Sequence, residues 1–567
     1  MSNTTSEKPS NILPLARKTD NYFTITLVII FLSLGLIGIL NHEMWFDELQ
    51  AWMIARDSSS INNLFQQNLK YESHPGLWHL GLYFLSRFTD NPVVMQFYHL
   101  LIATTGVYIF VKYSPFNRQQ KILLSLGYFS LYEYCIISRN YALGLLLIYC
   151  FCTLYTHRDK SFIPLSLCLS LLCNTNFYGF IIAISLLITL VFDTIFYNKI
   201  SNVLYHKKLD TTISLMIFLL GAYISLKQVI PPSDSSVSPD WKLYFDLYHF
   251  GATIVTITRS YLPLQQFGIY NIWETNALVS LNEYIAAIIA IPLFLFSTLM
   301  FIRKPIVLLM YLMGTLGILL FTYTKFYGGI RHHGHLFLIL IACLWISHYY
   351  SETDILLNLI QRYFLIFNKQ IINLEQFTRK YRKFFIQIIL CIHLLAASVA
   401  FTCDLSFPFS QGKAVADFIK NQDLENMMIV GIYDNATAAV SGYLNKPIFY
   451  PQINRLGTFV IWNNQRIESD IIWNNQRIES DPDPEILSRA VEIISKNYKN
   501  TIILLNYIPT NDQIKTFESL ISQKLKTSLK LRLLQKFEGS IDRWGNLYLF
   551  IVEDFFFVMP MTLKFTI

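Results

Sequence analysis

The chain has 567 residues, of which 53% are hydrophobic and only 15% charged. Soluble chains run nearer ~25% charged, so the apolar surplus has to lie in lipid, and collagen-like, disordered and small disulfide-scaffold classes are excluded. The net charge of +7, with no basic stripe interleaved with aromatics, reads as the Lys and Arg excess of a multi-pass protein rather than a nucleic-acid footprint.

Apolar runs of helix length predict eleven spans, near 22–41, 93–112, 121–138, 140–156, 161–176, 178–197, 211–228, 284–302, 304–323, 334–350 and 384–403. Segment 76–88 reads as an amphipathic helix lying in the membrane interface. Lys8, Arg17 and Lys18 put the N-terminal segment 1–21 in the cytoplasm, and each inner loop that follows is basic, as with Arg158 and Lys160, Lys199 and Lys207, or Arg303 and Lys304. The membrane domain is then 22–403, with long outer loops at 42–92 and 229–283. The region 404–567 falls outside the cytoplasm. With no cleavable signal and no retention ending, the expected location is a bacterial plasma (inner) membrane.

From 404 onward the charge content becomes conventional and short strands alternate with helices. MMIVGIY, TIILLNY and LYLFIVE read as strands, KPIFYP as an edge strand, and ATAAVSGYL, PEILSRAVEIISKNY and DQIKTFESLISQK as helices. The predicted fold class is a polytopic α-helical membrane protein with a C-terminal extracytoplasmic α/β domain. IWNNQRIESD occurs twice, from Ile461 and from Ile472, and two copies are too few for a solenoid. The simplest reading is a duplicated loop tolerated on a surface. The eight cysteines all fall in or beside apolar segments, where a thiol acts as a small hydrophobe.

The first outer loop opens on HEMWFDELQAWMIARD. Asp47 and Glu48 are adjacent acids followed by Leu49, Trp52, Met53 and Ala55 at helical spacing, which predicts a short helix carrying both acids at its start, on the membrane rim. A carboxylate there can accept a proton from a hydroxyl. Taken alone, an acidic pair solvating a span end is the simpler account. The next element, YESHPGLWHLGLYFLSRF, adds Glu72 and His74 ahead of Pro75 and the interfacial helix. Two arginines fall on the outer side: Arg139 in ISRNYALGLLLIY and Arg331 in RHHGH, which also carries His332 and His333. Arginine suits phosphate because its planar fork donates two parallel hydrogen bonds while staying charged. Snorkelling to lipid headgroups is the competing account of Arg139.

The acidic pair directly after the first span, the HP-containing stretch leading into an interfacial helix, and the Arg139-x-Tyr141 element opening a later span resemble the GT-C superfamily of membrane glycosyltransferases. The likeness is in particular to the protein mannosyltransferase and aminoarabinose transferase branch, which uses polyprenyl-phosphate sugars. It is architectural over 22–403 and rests on three short motifs in residues, with Gly76 standing where the family commonly has a second proline. It implies a hexosyl- or pentosyltransferase with a polyprenyl-phosphate sugar donor, membrane lipid around it, and a glycan, lipid or protein acceptor. Asp47 is then the general base of an inverting displacement, with Glu48 orienting or tuning it. Arg139, Arg331 and His332 would hold the donor phosphate, and Glu72, His74 and His333 would bind acceptor or share a divalent metal ion, the one cofactor kept open. His332 and His333 cannot both face one site, since adjacent helical residues point about 100° apart.

Two readings of other classes compete. A transporter or lipid flippase predicts interrupted spans with ionisable groups at mid-depth. A non-catalytic anchor displaying the C-terminal domain leaves the acidic loop without a task.

Overall fold

The computed structural model describes residues 18–196, 208–236, 241–266, 268, 270–363, 368–467, 472–473, 476–477, 483–497 and 500–554. Lys8, Arg17, Lys199, Lys207 and the apolar stretch 555–567 lie outside the described residues, as does much of the second IWNNQRIESD copy.

Seven described helices are long and apolar enough to cross a membrane: Asn21–Asn41, Val93–Tyr113, Phe177–Ile195, Lys208–Val229, Pro305–Thr324, Ile330–Tyr349 and Lys369–Ser406. Three shorter apolar helices, Tyr141–His157, Ile163–Cys173 and Glu283–Leu299, coincide with three further expected spans. The remaining one, 121–138, is not a continuous helix. Helix Arg118–Ser125 stops short of Gly127, and the chain resumes as a π-helical turn, Tyr128–Glu133. A Cβ at Gly127 would press on the Leu123 carbonyl, and the turn is buried in protein, where broken backbone is tolerated at membrane depth.

The elements that build the end carrying Asp47 and Arg331 are α1 (Lys18–Asn41), α2 (Phe46–Arg56), α3 (Leu77–Leu85), α4 (Tyr141–Leu154), α5 (Leu247–Tyr261) and α6 (Ile330–Ile346). Helix α3 falls within the segment 76–88, where the sequence predicts a helix. Helix α5 falls in what reads as a loop, because His249 and Arg259 interrupt its apolar pattern; it packs against Glu283–Leu299 and α6. At the far end of α6, Lys304 donates to the Ser347 carbonyl at 2.6 Å and Arg303 pairs with Glu375 at 2.6 Å. Asp193 is used there too, pairing with Arg158 at 2.6 Å and accepting from Tyr350. The 17 residues of α6 thus separate these basic loops from Arg331 by about 25 Å.

After α7 (Asn368–Ser406), which runs through the expected boundary at 403, come α8 (Gly412–Asn421) and α9 (Asp434–Leu444), then α10 (Pro484–Asn497) and α11 (Asn511–Leu525). They flank a six-stranded sheet of order β3-β2-β1-β6-β8-β7, built from β1 (Met428–Gly431), β2 (Ile448–Tyr450), β3 (Arg455–Gly457), β6 (Thr501–Leu505), β7 (Leu529–Phe537) and β8 (Leu547–Asp554). Strands β4 (Ile472–Trp473) and β5 (Gln476–Arg477) form a separate hairpin. β1 is parallel to β2 and β6, with Met428 opposite Thr501, and β8 is antiparallel to β6 and β7. β2 is therefore interior, not an edge. The edge strands are β3 and β7, and β7 is hidden from sequence pattern because Lys530, Arg532 and Lys536 interrupt its apolar residues, as edge strands commonly are.

Side chains alternate across the sheet. Ile429, Ile502, Leu504, Leu549 and Ile551 join one continuous core with the helical bundle, while Val430, Ile503, Leu505, Phe550 and Val552 pack in a second core with α10 and α11. The C-terminal layer thus rests on the bundle through a shared apolar interior. The fold is the expected polytopic helical one with a C-terminal α/β layer, and all eight cysteines are free thiols.

Candidate functional site

Helix α2 begins at the membrane rim with Trp45 as its N-cap, so Asp47 and Glu48 occupy its first turn, where carboxylates complement the helix dipole. Adjacent helical residues diverge by about 100°, and the two acids go separate ways.

Glu48 does not share a chamber with Asp47, contrary to the expectation of a catalytic pair. It is fully buried, with Oε1 accepting from the Ser138 amide at 2.6 Å and Oε2 accepting from the Trp45 amide at 3.1 Å and from His42 Nε2 at 3.0 Å. The other nitrogen of His42 donates to Asp404 Oδ2 at 2.8 Å. Glu48 is therefore a tie between the first outer loop, the link before α4 and the end of α7. Burial alone would lower the His42 pKa, but the Asp404 and Glu48 carboxylates outweigh it and push it up to about 10. Because the folded value exceeds the free one, His42 stabilises the fold fully below about pH 6.5, and that contribution is lost as pH rises through about 10. Thermal unfolding followed from pH 6 to pH 10 is expected to show this alkaline decline, with a flatter profile in His42→Gln.

Asp47 turns the other way. Its Oδ2 lies 3.5 Å from Arg139 Nη1 and 3.4 Å from Arg331 Nη2, and Arg139 Nη1 also donates to the Asp47 carbonyl. Two guanidiniums, separated by 191 residues in the chain, thus meet on one carboxylate. Arg139 comes from the link before α4 and Arg331 from the first turn of α6. Arg331 Nη1 pairs with Glu274, its Nε is buried with no partner among the described residues, and its guanidinium lies 5.3 Å from the Trp45 ring and 5.2 Å from the Trp273 ring. The side chains of Asp47, Arg139 and Arg331 retain 22%, 11% and 16% exposure, so the cluster is sheltered but reachable.

Glu274, Trp45 and Trp273 escaped sequence reasoning. The available signal was a tryptophan close before an acid in each long outer loop, WFDE and WET. Glu274 sits at φ +64° and Asn271 at φ +54°, a left-handed backbone that non-glycine residues adopt only when surroundings enforce it. Gly329 is one such surrounding, because a Cβ there would collide with the Glu274 carboxylate. The turn between β7 and β8 is another: Ser540 accepts from the Asn271 amide at 3.3 Å. The same turn carries buried Asp542, whose carboxyl burial pushes up to about 7, with Glu274 and Asp47 among the charges acting on it.

Glu72 and His74 stand beside this cluster. Glu72 accepts from Gln50 Nε2 at 2.9 Å; burial pushes its pKa up to about 7, against the Gln50 hydrogen bond and with the Asp47 charge adding to the rise. Burial, reinforced by Arg139, drives His74 down to about 4, so it is neutral at physiological pH. His332 does not join them. Its Nδ1 accepts from the Gly329 amide at 2.9 Å, which leaves Nε2–H to donate to the Tyr141 hydroxyl at 3.0 Å, so both nitrogens are spent on holding the start of α6. His333 turns away to the Tyr327 carbonyl at 2.9 Å. Among the described residues no three His, Cys, Asp or Glu side chains are gathered closely enough to hold a metal ion, so Glu72, His74 and His333 do not form the ligand set considered from sequence. Two polar side chains within apolar segments tie elements together: Asn174 donates to the Gly221 carbonyl at 2.9 Å, and Glu133 accepts from Tyr128 at 2.9 Å and Trp273 at 3.3 Å.

No protein-family model matches the chain, and no curated protein matches it. Among solved structures it is similar to the crystal structure of ArnT from Cupriavidus metallidurans in the apo state, at 11% identity and a TM-score of 0.47 over 94% of this chain and 98% of that one. It is also similar to ArnT from Cupriavidus metallidurans bound to undecaprenyl phosphate, at 11% identity and a TM-score of 0.45 over 93% and 98%.

The cluster combines one carboxylate with two flanking guanidiniums at the end of a lipid-embedded bundle. Such a site can take a proton at the carboxylate while stabilising an anionic leaving group on the cations.

Proposed function

We propose that this chain is a GT-C-type glycosyltransferase of a bacterial inner membrane, moving a sugar from a polyprenyl phosphate to an acceptor hydroxyl at the outer face. The reading rests on one observation above the others: Asp47 lies between Arg139 and Arg331. The acceptor hydroxyl attacks the anomeric carbon as its proton passes to Asp47. The bond from that carbon to the phosphate oxygen breaks with inversion, and the electron pair stays on the polyprenyl phosphate, held by the two arginines. Arg331 suits this because its Nε–H has no partner among the described residues and its guanidinium is fixed against two tryptophans. Glu274 aims Arg331, and Glu48 with His42 holds the loop that aims Asp47.

The test is transfer of label from polyprenyl-phosphate sugars by the purified protein in lipid vesicles. Arg331→Lys keeps a single charge but cannot span both Asp47 and a phosphate, so kcat/KM is expected to fall about 100-fold. An unchanged value would remove Arg331 from the donor site, and absence of transfer from every such donor would overturn the reading.

A further inference from the structure

The first copy of the duplicated segment is not idle surface. Val460, just before it, donates its amide to Gln50 Oε1 at 3.0 Å and accepts from Gln50 Nε2 at 2.8 Å, the same Gln50 that holds Glu72. Two residues on, the Trp462 carbonyl accepts from the Ser236 amide at 3.0 Å and from Ser235 Oγ at 3.2 Å, and the Asn464 amide donates to the Asp234 carbonyl at 2.6 Å. Asp234 in turn accepts from the Tyr71 hydroxyl at 2.7 Å. Residues 460–464 are thereby laced to both long loops at once, to 42–92 through Gln50 and to 229–283 through Asp234, Ser235 and Ser236.

The Trp462 ring is held just as firmly. The Arg466 guanidinium lies 4.4 Å from its centroid and is itself locked by two 2.9 Å hydrogen bonds to buried Asp434. Phe46, the neighbour of Asp47, meets it edge-on at 6.4 Å, and the Gln50 that binds Val460 also holds Glu72. Trp462 is nonetheless only half-buried. A fixed, half-buried aromatic ring is what a sugar ring needs: its C–H face packs on the indole while its hydroxyls stay free to reach a nearby carboxylate.

We propose that Trp462 is the acceptor platform of this enzyme, stacking a sugar ring so that one of its hydroxyls reaches Asp47; the acceptor is therefore a glycan or glycolipid. This rests on the glycosyltransferase reading and adds to it the substrate class and a role for the C-terminal layer. Inversion requires the acceptor to enter opposite the departing phosphate.

The experiment compares two acceptor probes with one labelled polyprenyl-phosphate sugar donor in vesicles: octyl glucoside, and octanol, which has the same chain but no ring. Wild type is expected to prefer the glucoside. Trp462→Ala should lower that preference at least tenfold, chiefly through KM for the glucoside, and Trp462→Phe should restore most of it. Equal losses on both probes, or an unchanged preference, would overturn the proposal. Wild-type transfer to neither probe, with no Asp47-dependent release of sugar from the donor to water, would instead count against the underlying reading, so the two failures are distinguishable.

Discussion

Asparagine at position 47 is expected to reduce sugar transfer by about 10²- to 10⁴-fold, the range supplied by a positioned general base. The substitution keeps the shape of the side chain and a carbonyl oxygen for Arg139 and Arg331, so the first turn of α2 should remain folded. What disappears is the proton acceptor. It also removes the one carboxylate on which both guanidiniums converge. Donor affinity should therefore hold or rise even as turnover collapses, a split that mere unfolding cannot produce. Initial rates together with donor binding to the purified protein check both halves. A rate near that of wild type would dismiss Asp47 as the base, whereas weakened donor binding would show that Asp47 serves mainly to shape the pocket.

Glu48→Ala should act on stability instead. Its carboxylate is fully buried and serves His42, Ser138 and Trp45 together, so deleting it orphans two buried amides and leaves the His42 imidazole facing Asp404 alone. Breaking a buried ionic partnership from one side costs about 3–5 kcal/mol. Glu48→Gln keeps hydrogen-bond acceptor capacity and should fall between the two. Unfolding midpoints in detergent are the measurement, and an alanine variant as stable as wild type would refute the tie. Since Glu48 braces the segment carrying Asp47, surviving Glu48→Ala protein should also turn over more slowly, with its loss of activity following its loss of structure.

The fate of these two neighbours illustrates what sequence pattern can and cannot resolve. That an acid pair opens a helix at the rim of the first span was readable, because apolar periodicity and span length are local properties. Which acid faces the site was not, because it depends on the rotation of α2 against the link at 138 and the end of α7. The same holds at Arg331-His332-His333, where three consecutive residues serve an ion-pair cluster, a helix start and a loop carbonyl respectively. Glu274 was missed because an isolated acid in a 55-residue outer loop looks like any solvated carboxylate until Gly329 and Arg331 close around it. Helix α5 and strand β7 were missed for the converse reason: partly exposed elements carry charges that blur their periodicity.

By itself, then, the sequence determined the placement of most apolar segments, the change to an α/β layer after position 404, and the short list of charged residues lying near the ends of apolar segments. These follow from hydrophobic burial and backbone hydrogen bonding, which act over one or two turns of chain. Only the tertiary structure decided that Asp47, Arg139, Arg331 and Glu274 share one cluster, that Glu48 and His332 are taken up by the scaffold, and that the first duplicated segment reaches across to the outer loops. Contacts between residues hundreds of positions apart depend on how helices rotate and pack against one another, and no local pattern encodes that.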